Sequence, residues 1–292
     1  MGHSVPPIPE SLRENLAYGL GPAEAERWLG QAVQHAEELF VSWDLTPQQV
    51  LAGGSESLCV KCEGPDGSPL VLKLPASLSG GETEIAALRV WGGDGAARLL
   101  RAEPGLSAML MNFLGRVGEG TYTLAEVLDL ADRLHEADLA SHDFPSVEAN
   151  VARRLVWAAE RFAEPGGEAA AADLAVAEKL LGHLLYGGDR HVLLHGDLQP
   201  KNLIVSDQGL AVVDPMPAVG PAVFDTAFWI VKCAESHPLA TCQSAVLALR
   251  PDLDADALQR WCWALAVVES RPYLGPANVR RTEYIEQFRD RH

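Results

Sequence analysis

The feature that most constrains the fold is a polar loop enclosed by short apolar runs in the second half of the chain. The run HGDLQPKN at 195–202 directly follows the apolar residues 192–194. Two further apolar runs, 203–205 and 210–213, are joined by a short turn, and Asp214 follows the second. Apolar runs of this length, bounded by turn residues, predict strands. The pattern therefore predicts a strand, a polar loop and a hairpin that ends on an aspartate.

Three residues of this segment have the side chains that phosphoryl transfer requires. Asn202 follows Asp197 by five residues, and Asp214 comes after the hairpin. In kinases, the first aspartate orients the hydroxyl nucleophile and accepts its proton, while the asparagine and the second aspartate offer hard oxygen atoms to Mg²⁺. We therefore expect Asp197 to be the catalytic base, with Asn202 and Asp214 as metal ligands. The structural alternative is a buried loop in which Asp197 caps a turn and Asp214 ends a strand.

Two neighbours of Asp197 have less specific roles. His195 is expected to brace the loop through hydrogen bonds rather than to act as a general base. Lys201 lies on the same loop, four residues after Asp197, where its positive charge could face the transferred phosphoryl group. A lysine that points to solvent is an equally good interpretation.

A lysine and a glutamate in the first part of the chain fit a nucleotide site. Lys73 lies in the middle of the apolar run 70–74, where its charge is costly unless it has a partner or a ligand. Glu84 lies on the predicted helix that follows and would form the ion pair that directs Lys73 to the α- and β-phosphates of ATP. Glu82 is the alternative partner. We prefer Glu84 because Leu88 lies one turn later on the same side of the helix.

Backbone groups complete the predicted nucleotide site. Gly53, Gly54 and Ser55 form a turn between predicted strands, where free N–H groups can approach phosphates, although such turns are common without a ligand. Asn112 and Leu114 lie in the presumed hinge, which would contact adenine through its backbone. That contact leaves the choice between ATP and GTP open.

Composition restricts the partners and the compartment. The net charge of −17 disfavours nucleic acid and anionic membranes and fits a cationic small molecule, although solubility alone is an equally good explanation. The cysteine count of five is odd, which favours reduced thiols in the cytoplasm. Cys59 and Cys62 have the spacing of half a zinc site, but no second pair completes it. The N-terminal stretch does not resemble a signal peptide, and no apolar run is long enough for a membrane span.

The distribution of elements predicts an α+β chain with two lobes. Periodicity predicts helices at 23–40 and 82–91 and strands around them, which gives a small lobe with an antiparallel sheet. Beyond Thr121 the pattern is mainly helical. We predict an N-terminal nucleotide-binding lobe over residues 1–112 and a C-terminal catalytic and substrate-binding lobe over 113–292. The oligomeric state is not predicted.

Taken together, these residues resemble the aminoglycoside phosphotransferase family, which has the two-lobed protein-kinase-like fold. Flanking motifs resemble in particular its branch of streptomycin 6-phosphotransferases and hydroxyurea-resistance kinases. The resemblance extends from about Ile8 to the predicted helix that contains Trp261 and Trp263. The motifs that carry it are Trp28-Leu29, SWDL at 42–45, the strand ending in Lys73, Glu84 with Leu88 and Trp91, ARLL at 97–100, and VDPMPAVGPAVFD at 213–225.

The resemblance implies the same roles for Lys73, Glu84, Asp197, Asn202 and Asp214 that the chemistry indicates. It adds Asp225 as a supporting residue. Family members usually have Leu-His-Pro-Gly-Asn after the aspartate, where this chain has Gln199 and Lys201 in place of histidine and glycine. Neither change removes a magnesium ligand. The family's later Gly-Asp-Pro is also shortened here to Gly-Pro.

The implied activity is transfer of the γ-phosphate of ATP, with Mg²⁺, to a hydroxyl of an aminoglycoside-like acceptor. Streptomycin, phosphorylated on its 6-hydroxyl, is the first candidate. Acidic residues of the C-terminal lobe, Glu269 among them, could recognise a cationic acceptor, although most should be solvated. One alternative is a kinase of another small hydroxylated metabolite. The other is a nucleotide-binding pseudokinase, against which the intact Lys73, Asp197, Asn202 and Asp214 argue.

Overall fold

The structure is a computed structural model. It describes residues 3–51, 56–139, 143–163, 168–187, 190–271 and 275–291. The chain divides into two compact units, Met1–Gly115 and Arg116–His292. The functional division between residues 112 and 113 stays a prediction.

The first unit is an antiparallel sheet with helices. Among the described residues, five strands pair in the order β1-β2-β3-β5-β4. Lys73 lies at the middle of this sheet, paired with Cys59 on one side and Met109 on the other. The elements are α1 (Glu10–Leu20), α2 (Pro22–Ser42), β1 (Thr46–Val50), β2 (Ser57–Glu63), β3 (Pro69–Pro75), α3 (Leu78–Trp91), β4 (Leu99–Glu103) and β5 (Ala108–Asn112).

Helix α2 packs its apolar stripe into the core of this unit. Leu29, Ala32, Ala36 and Phe40 recur at intervals of three or four residues and are all buried. This spacing places them on one face of a helix. They join side chains of the sheet, such as Leu72, in one hydrophobic cluster.

The second unit is mainly helical, with two small antiparallel strand pairs. Strand β6 pairs with β9, and β7 pairs with β8. Its elements are α4 (Leu124–His135), α5 (Val147–Phe162), α6 (Glu168–Leu184), β6 (His191–Leu194), β7 (Leu203–Ser206), β8 (Gly209–Val212), β9 (Ala218–Pro221), α7 (Val223–Lys232), α8 (Leu239–Leu249), α9 (Ala255–Val268) and α10 (Gly275–Phe288).

Helices α7 and α9 form the centre of this unit. Residues 223–231 of α7 are all buried, and so are residues 261–268 of α9. Phe224 meets Trp261 edge to face, with the ring centroids 5.7 Å apart. A helix that is buried on every side is a rigid support for groups that bind to its polar side chains. Asp225 is a buried polar residue of α7.

The sequence predicted the order of a small mixed unit followed by a helical one, and this order is confirmed. The main helices and the strands around the polar loop lie where their periodicity placed them. Helices α1, α7 and α8 and strand β9 were missed. Helix α7 is short and mostly apolar, and a short apolar run does not distinguish a helix from a strand. No helix in the described part of the chain is long and apolar enough to cross a membrane.

Candidate active site

The buried ion pair of the first unit joins β3 to α3. Lys73 Nζ lies 2.7 Å from both carboxylate oxygens of Glu84, and both side chains are less than a tenth exposed. Ser77 caps the N-terminus of α3 and accepts a hydrogen bond from the N–H of Gly80. The alternative partner, Glu82, is exposed. Glu84 is therefore the partner of Lys73 in this structure, as the sequence predicted.

The hinge residues are placed, whereas the glycine-rich turn is not. The Asn112 N–H donates to the Arg98 carbonyl, and the Phe113 N–H donates to the Pro69 carbonyl. Within the described residues, no hydrogen bond involves the Leu114 N–H. Its contact with adenine stays a prediction. The predicted phosphate-binding residues Gly53, Gly54 and Ser55 lie outside the described residues.

In the second unit, the loop after β6 turns sharply at Gly196. Its φ is +73°, in the left-handed region that favours glycine. A β-carbon there would lie 2.1 Å from the Met216 carbonyl oxygen and 2.8 Å from the Asn150 Nδ2. No larger residue fits without moving the backbone. This turn sets the direction of the backbone at the next residue, Asp197.

His195 braces this loop. Its Nε2 lies 3.1 Å from the Val213 carbonyl oxygen, and its Nδ1 accepts a hydrogen bond from the Asp197 N–H. One nitrogen thus donates and the other accepts, which is the pattern of a neutral imidazole. Burial lowers the pKa of His195, and the charges of Asp225 and Asp197 offset this effect only in part. The bracing role expected from the sequence therefore fits the geometry.

The carboxylate of Asp225 binds backbone N–H groups of this loop. Its Oδ2 accepts from the His195 N–H at 2.8 Å, and its Oδ1 accepts from the Gly196 N–H at 2.9 Å. His135 Nε2 lies 3.0 Å from the same carboxylate. Burial alone would raise the pKa of Asp225, but the hydrogen bond with His135 and those from the loop lower it overall. The supporting carboxylate is fully buried and charged.

Three side chains surround the carboxylate of Asp197. Arg154 Nη2 donates to Oδ1 at 2.9 Å. Gln199 Nε2 and Asn202 Nδ2 donate to Oδ2 at 2.5 Å and 3.0 Å. Gln199 stands where the family pattern has histidine, and here it contacts the predicted base directly.

Asn202 and Asp214, the predicted metal ligands, are brought together by the hairpin of β7 and β8. The Val213 N–H donates to the Asn202 carbonyl at 2.9 Å, which places the next residue, Asp214, beside the asparagine. Asp214 has a φ of +59°, a conformation that costs energy for a non-glycine residue. Proximity of an amide and a carboxylate is what the magnesium prediction requires.

The orientation of the Asn202 amide fits a metal ligand. Its Nδ2 donates both to the backbone carbonyl and to the Oδ2 of Asp197. The amide oxygen therefore faces away from Asp197, and no described residue donates to it. An amide oxygen and a carboxylate are hard donors of the kind that Mg²⁺ binds. The donor set fits the ion.

Two other predictions concern Lys201 and the cysteine pair. Lys201 is exposed, and its role at the phosphoryl group stays a prediction. Cys59 and Cys62 lie three residues apart on β2, so their side chains point to opposite faces of the sheet. Burial raises the pKa of Cys62 to about 12. In the part of the chain that the structure describes, no group of three or more His, Cys, Asp or Glu residues forms a metal site.

The residue that sequence reasoning missed is Arg154 on α5. It lies on the buried stripe formed by Val147, Val151, Ala158 and Phe162. An arginine on the apolar stripe of an amphipathic helix is the signal that could have revealed it, because such a charge needs a buried partner.

Glu269 is one of these buried partners. Its Oε1 lies 2.9 Å from Arg154 Nη1, and its Oε2 lies 2.5 Å from Lys232 Nζ. Burial alone would raise the pKa of Glu269, but the charges of Lys232 and Arg154 hold it far below its ordinary value. Glu269 is one of the acidic residues that the sequence left open as candidates for a cationic acceptor, and in this structure both of its oxygens already bind cations.

The sheet unit, followed by a helical unit with this loop and hairpin, defines a protein-kinase-like fold. The structure is similar to that of a thermostable mutant of aminoglycoside phosphotransferase APH(4)-Ia, described in a ternary complex with ADP and hygromycin B. The TM-score is 0.59 at 14% identity, over 86% of this chain and 97% of the other. At this identity the likeness shows the fold.

Sequence comparison identifies the family. Residues 42–271 match the model of the aminoglycoside/hydroxyurea antibiotic resistance kinases, and the chain belongs to this family. It is 31% identical over 234 residues to a streptomycin 6-kinase of Streptomyces glaucescens. It is 28% identical over 232 residues to a streptomycin 6-kinase of Streptomyces griseus. Each comparison covers 75% of this chain and 72% of the relative.

The chain is therefore a kinase, an O-phosphotransferase that uses a nucleotide as phosphoryl donor. The predicted family resemblance, fold class and enzyme class are confirmed.

Proposed function

We propose that this enzyme transfers the γ-phosphate of ATP to the 6-hydroxyl of streptomycin. The observation that carries the chemistry is the cluster at the loop and hairpin, in which Asn202 donates to Asp197 and lies beside Asp214. The streptomycin 6-kinases to which the chain is similar support the choice of acceptor. The net charge of −17 suits an acceptor that carries positive charge.

In this proposal, Asp197 orients the acceptor hydroxyl and receives its proton. The hydroxyl oxygen bonds to the γ-phosphorus, while the bond from that phosphorus to the bridging oxygen breaks and ADP leaves. Asn202 and Asp214 would hold Mg²⁺, which neutralises charge on the phosphate oxygens. Lys73, held by Glu84, would contact the α- and β-phosphates, with Gly53, Gly54, Ser55, Asn112 and Leu114 as further nucleotide contacts. Lys201 would face the transferred phosphoryl group.

The test is phosphorylation of streptomycin by the purified chain with ATP and Mg²⁺, followed by mass spectrometry and localisation of the phosphate. Asp197→Asn keeps the size of the side chain and removes the base, and it should lower turnover by roughly a hundredfold or more. Asp207→Asn, in the exposed turn of the hairpin, is the matched control and should leave turnover unchanged. Absence of product with every aminoglycoside tried, in a chain that still binds ATP, would overturn the proposed acceptor.

A further inference from the structure

The carboxylate of Asp197 is held by a buried cation to which the proposed reaction gives no part. Arg154 is 4% exposed, and its Nη2 donates both to Asp197 Oδ1 and to the Gly196 carbonyl, each at 2.9 Å. We propose that Arg154 is a positioning residue that fixes the rotation of the Asp197 carboxylate so that this carboxylate can accept the proton of the acceptor hydroxyl. This inference rests on the proposed role of Asp197 as the base.

Counting acceptor positions shows what Arg154 leaves available. Each carboxylate oxygen can accept two hydrogen bonds. Gln199 and Asn202 fill both positions on Oδ2, while Arg154 fills one position on Oδ1. None of the other described residues donates to Oδ1. One acceptor position therefore remains, and it is on Oδ1. A hydroxyl that binds there contacts a carboxylate that cannot rotate freely.

The guanidinium itself is fixed on several sides. Its Nη1 donates to Glu269 Oε1 at 2.9 Å, and its central carbon lies 4.2 Å from the ring centroid of Phe228. The Met216 sulfur lies 3.6 Å from Nη2. A planar guanidinium holds its N–H donors in a fixed geometry and can bind two carboxylates through different nitrogens, whereas a lysine ammonium is a point charge on a flexible chain. Arg154 thus links the loop to the rigid centre of the unit.

The ion pair of Lys232 and Glu269 explains why the buried charge of Arg154 is tolerated. Lys232 Nζ lies 2.5 Å from the second oxygen of Glu269, so the charges alternate along Lys232, Glu269, Arg154 and Asp197. Burial alone would lower the pKa of Arg154, but Glu269 and Asp197 raise it overall. The charges have partners throughout. The arginine nevertheless leaves its Nε buried without a hydrogen-bond partner in the described part of the chain. A buried donor without a partner costs stability.

Replacing Arg154 should affect the chemical step more than substrate binding. A carboxylate that is free to rotate spends less time in the reactive orientation, and small misplacements of reacting groups cost about a hundredfold in rate. We therefore expect Arg154→Met to lower kcat by about a hundredfold with little change in the KM for ATP or streptomycin. Arg154→Lys keeps the charge and loses the fork, so it should retain more turnover than Arg154→Met.

Arg161 is the matched control. It lies two turns further along the same helix and donates to the carbonyl groups of Val268 and Ser270. Arg161→Met removes a structural arginine from α5 without touching Asp197. It should lower the melting temperature and leave kcat unchanged.

The decisive experiment is a double-mutant cycle for streptomycin phosphorylation by the full chain. It compares wild type, Arg154→Met, Asp197→Asn and the double variant, with melting temperatures recorded for each and Arg154→Lys as the second variant if Arg154→Met does not fold. If Arg154 acts through Asp197, its replacement should cost little further rate once the base is gone. An equal loss of kcat in both backgrounds, or full kcat in Arg154→Met or Arg154→Lys, would overturn the inference. A wild type that phosphorylates no aminoglycoside overturns the proposed acceptor, and this outcome differs from an active wild type with an Arg154 variant that keeps full kcat.

Discussion

The carboxylate of Asp225 accepts a hydrogen bond of 2.9 Å from the backbone N–H of Gly196, the residue before the proposed base. Because a backbone group makes this contact, the path of the loop depends on the buried helix α7 and not on an exposed side chain. Charged acceptors of backbone N–H groups are among the stronger hydrogen bonds in proteins. The loop should therefore be sensitive to changes in its backbone.

Gly196→Ala tests this sensitivity. Residue 196 has a left-handed conformation, and the added β-carbon would collide with the Met216 carbonyl. We therefore expect the unfolding free energy to fall by roughly 2–5 kcal/mol. Turnover should fall as well. Gly209→Ala is the control, since Gly209 also has a positive φ but has open space around its position. It should cost only about 1–2 kcal/mol. Urea unfolding of both variants decides the comparison, and equal losses would contradict it.

His195 should make the protein less stable at mildly acidic pH. Its pKa is lowered in the folded state, so below about pH 6.5 the unfolded chain binds a proton that the folded chain does not. The stability that the neutral His195 contributes is fully present above that pH and is lost as the pH falls. Relative to His195→Gln, the wild type should lose up to about 1.4 kcal/mol of unfolding free energy per pH unit.

The measurement is urea unfolding from pH 5 to pH 8, analysed as the difference between the wild type and the variant. His183→Gln serves as control because His183 is exposed. It should follow the wild type across the whole range. Parallel curves for wild type and His195→Gln would show that the histidine does not resist protonation.

The ion pair of Lys73 and Glu84 should be required for nucleotide use and should tolerate joint removal better than single removal. Lys73→Met removes the cation of a buried ion pair while the carboxylate of Glu84 stays buried, which costs about 3–5 kcal/mol of unfolding free energy. The double variant Lys73→Met/Glu84→Gln should recover part of that stability. Both variants should lose turnover, because neither has the cation. Calorimetric unfolding and ATP-dependent turnover are the two measurements, and a double variant less stable than Lys73→Met would refute the argument.

Asp214→Asn should weaken magnesium binding. It removes the single carboxylate from the proposed ligand pair, so we expect the Mg²⁺ concentration for half-maximal turnover to rise by at least about tenfold and turnover at saturation to fall. Asp207→Asn, on the exposed turn of the same hairpin, controls for the change in charge. Titration of turnover with Mg²⁺ at fixed ATP measures both. Unchanged magnesium dependence in Asp214→Asn would remove that residue from the proposed site.

The sequence placed the loop and hairpin correctly because their information is local. A strand, a glycine, an aspartate and an asparagine at fixed spacing leave few conformations for the chain, and the lysine on β3 needed a nearby acid, which Glu84 on α3 supplies. Neither of these predictions depended on distant contacts. The division of roles within the loop stays a prediction.

The kinase motif, the order of the two units and the family can be inferred from the amino-acid sequence alone. The surroundings of Asp197 depend on long-range packing, because Arg154 is 43 residues away along the chain and Glu269 is 115 residues from Arg154. Contacts at such separation arise from packing of α5 against the loop and against the end of α9, and no local pattern encodes them. The same packing makes Glu269, which the sequence offered as a candidate for acceptor recognition, a buried partner of two cations.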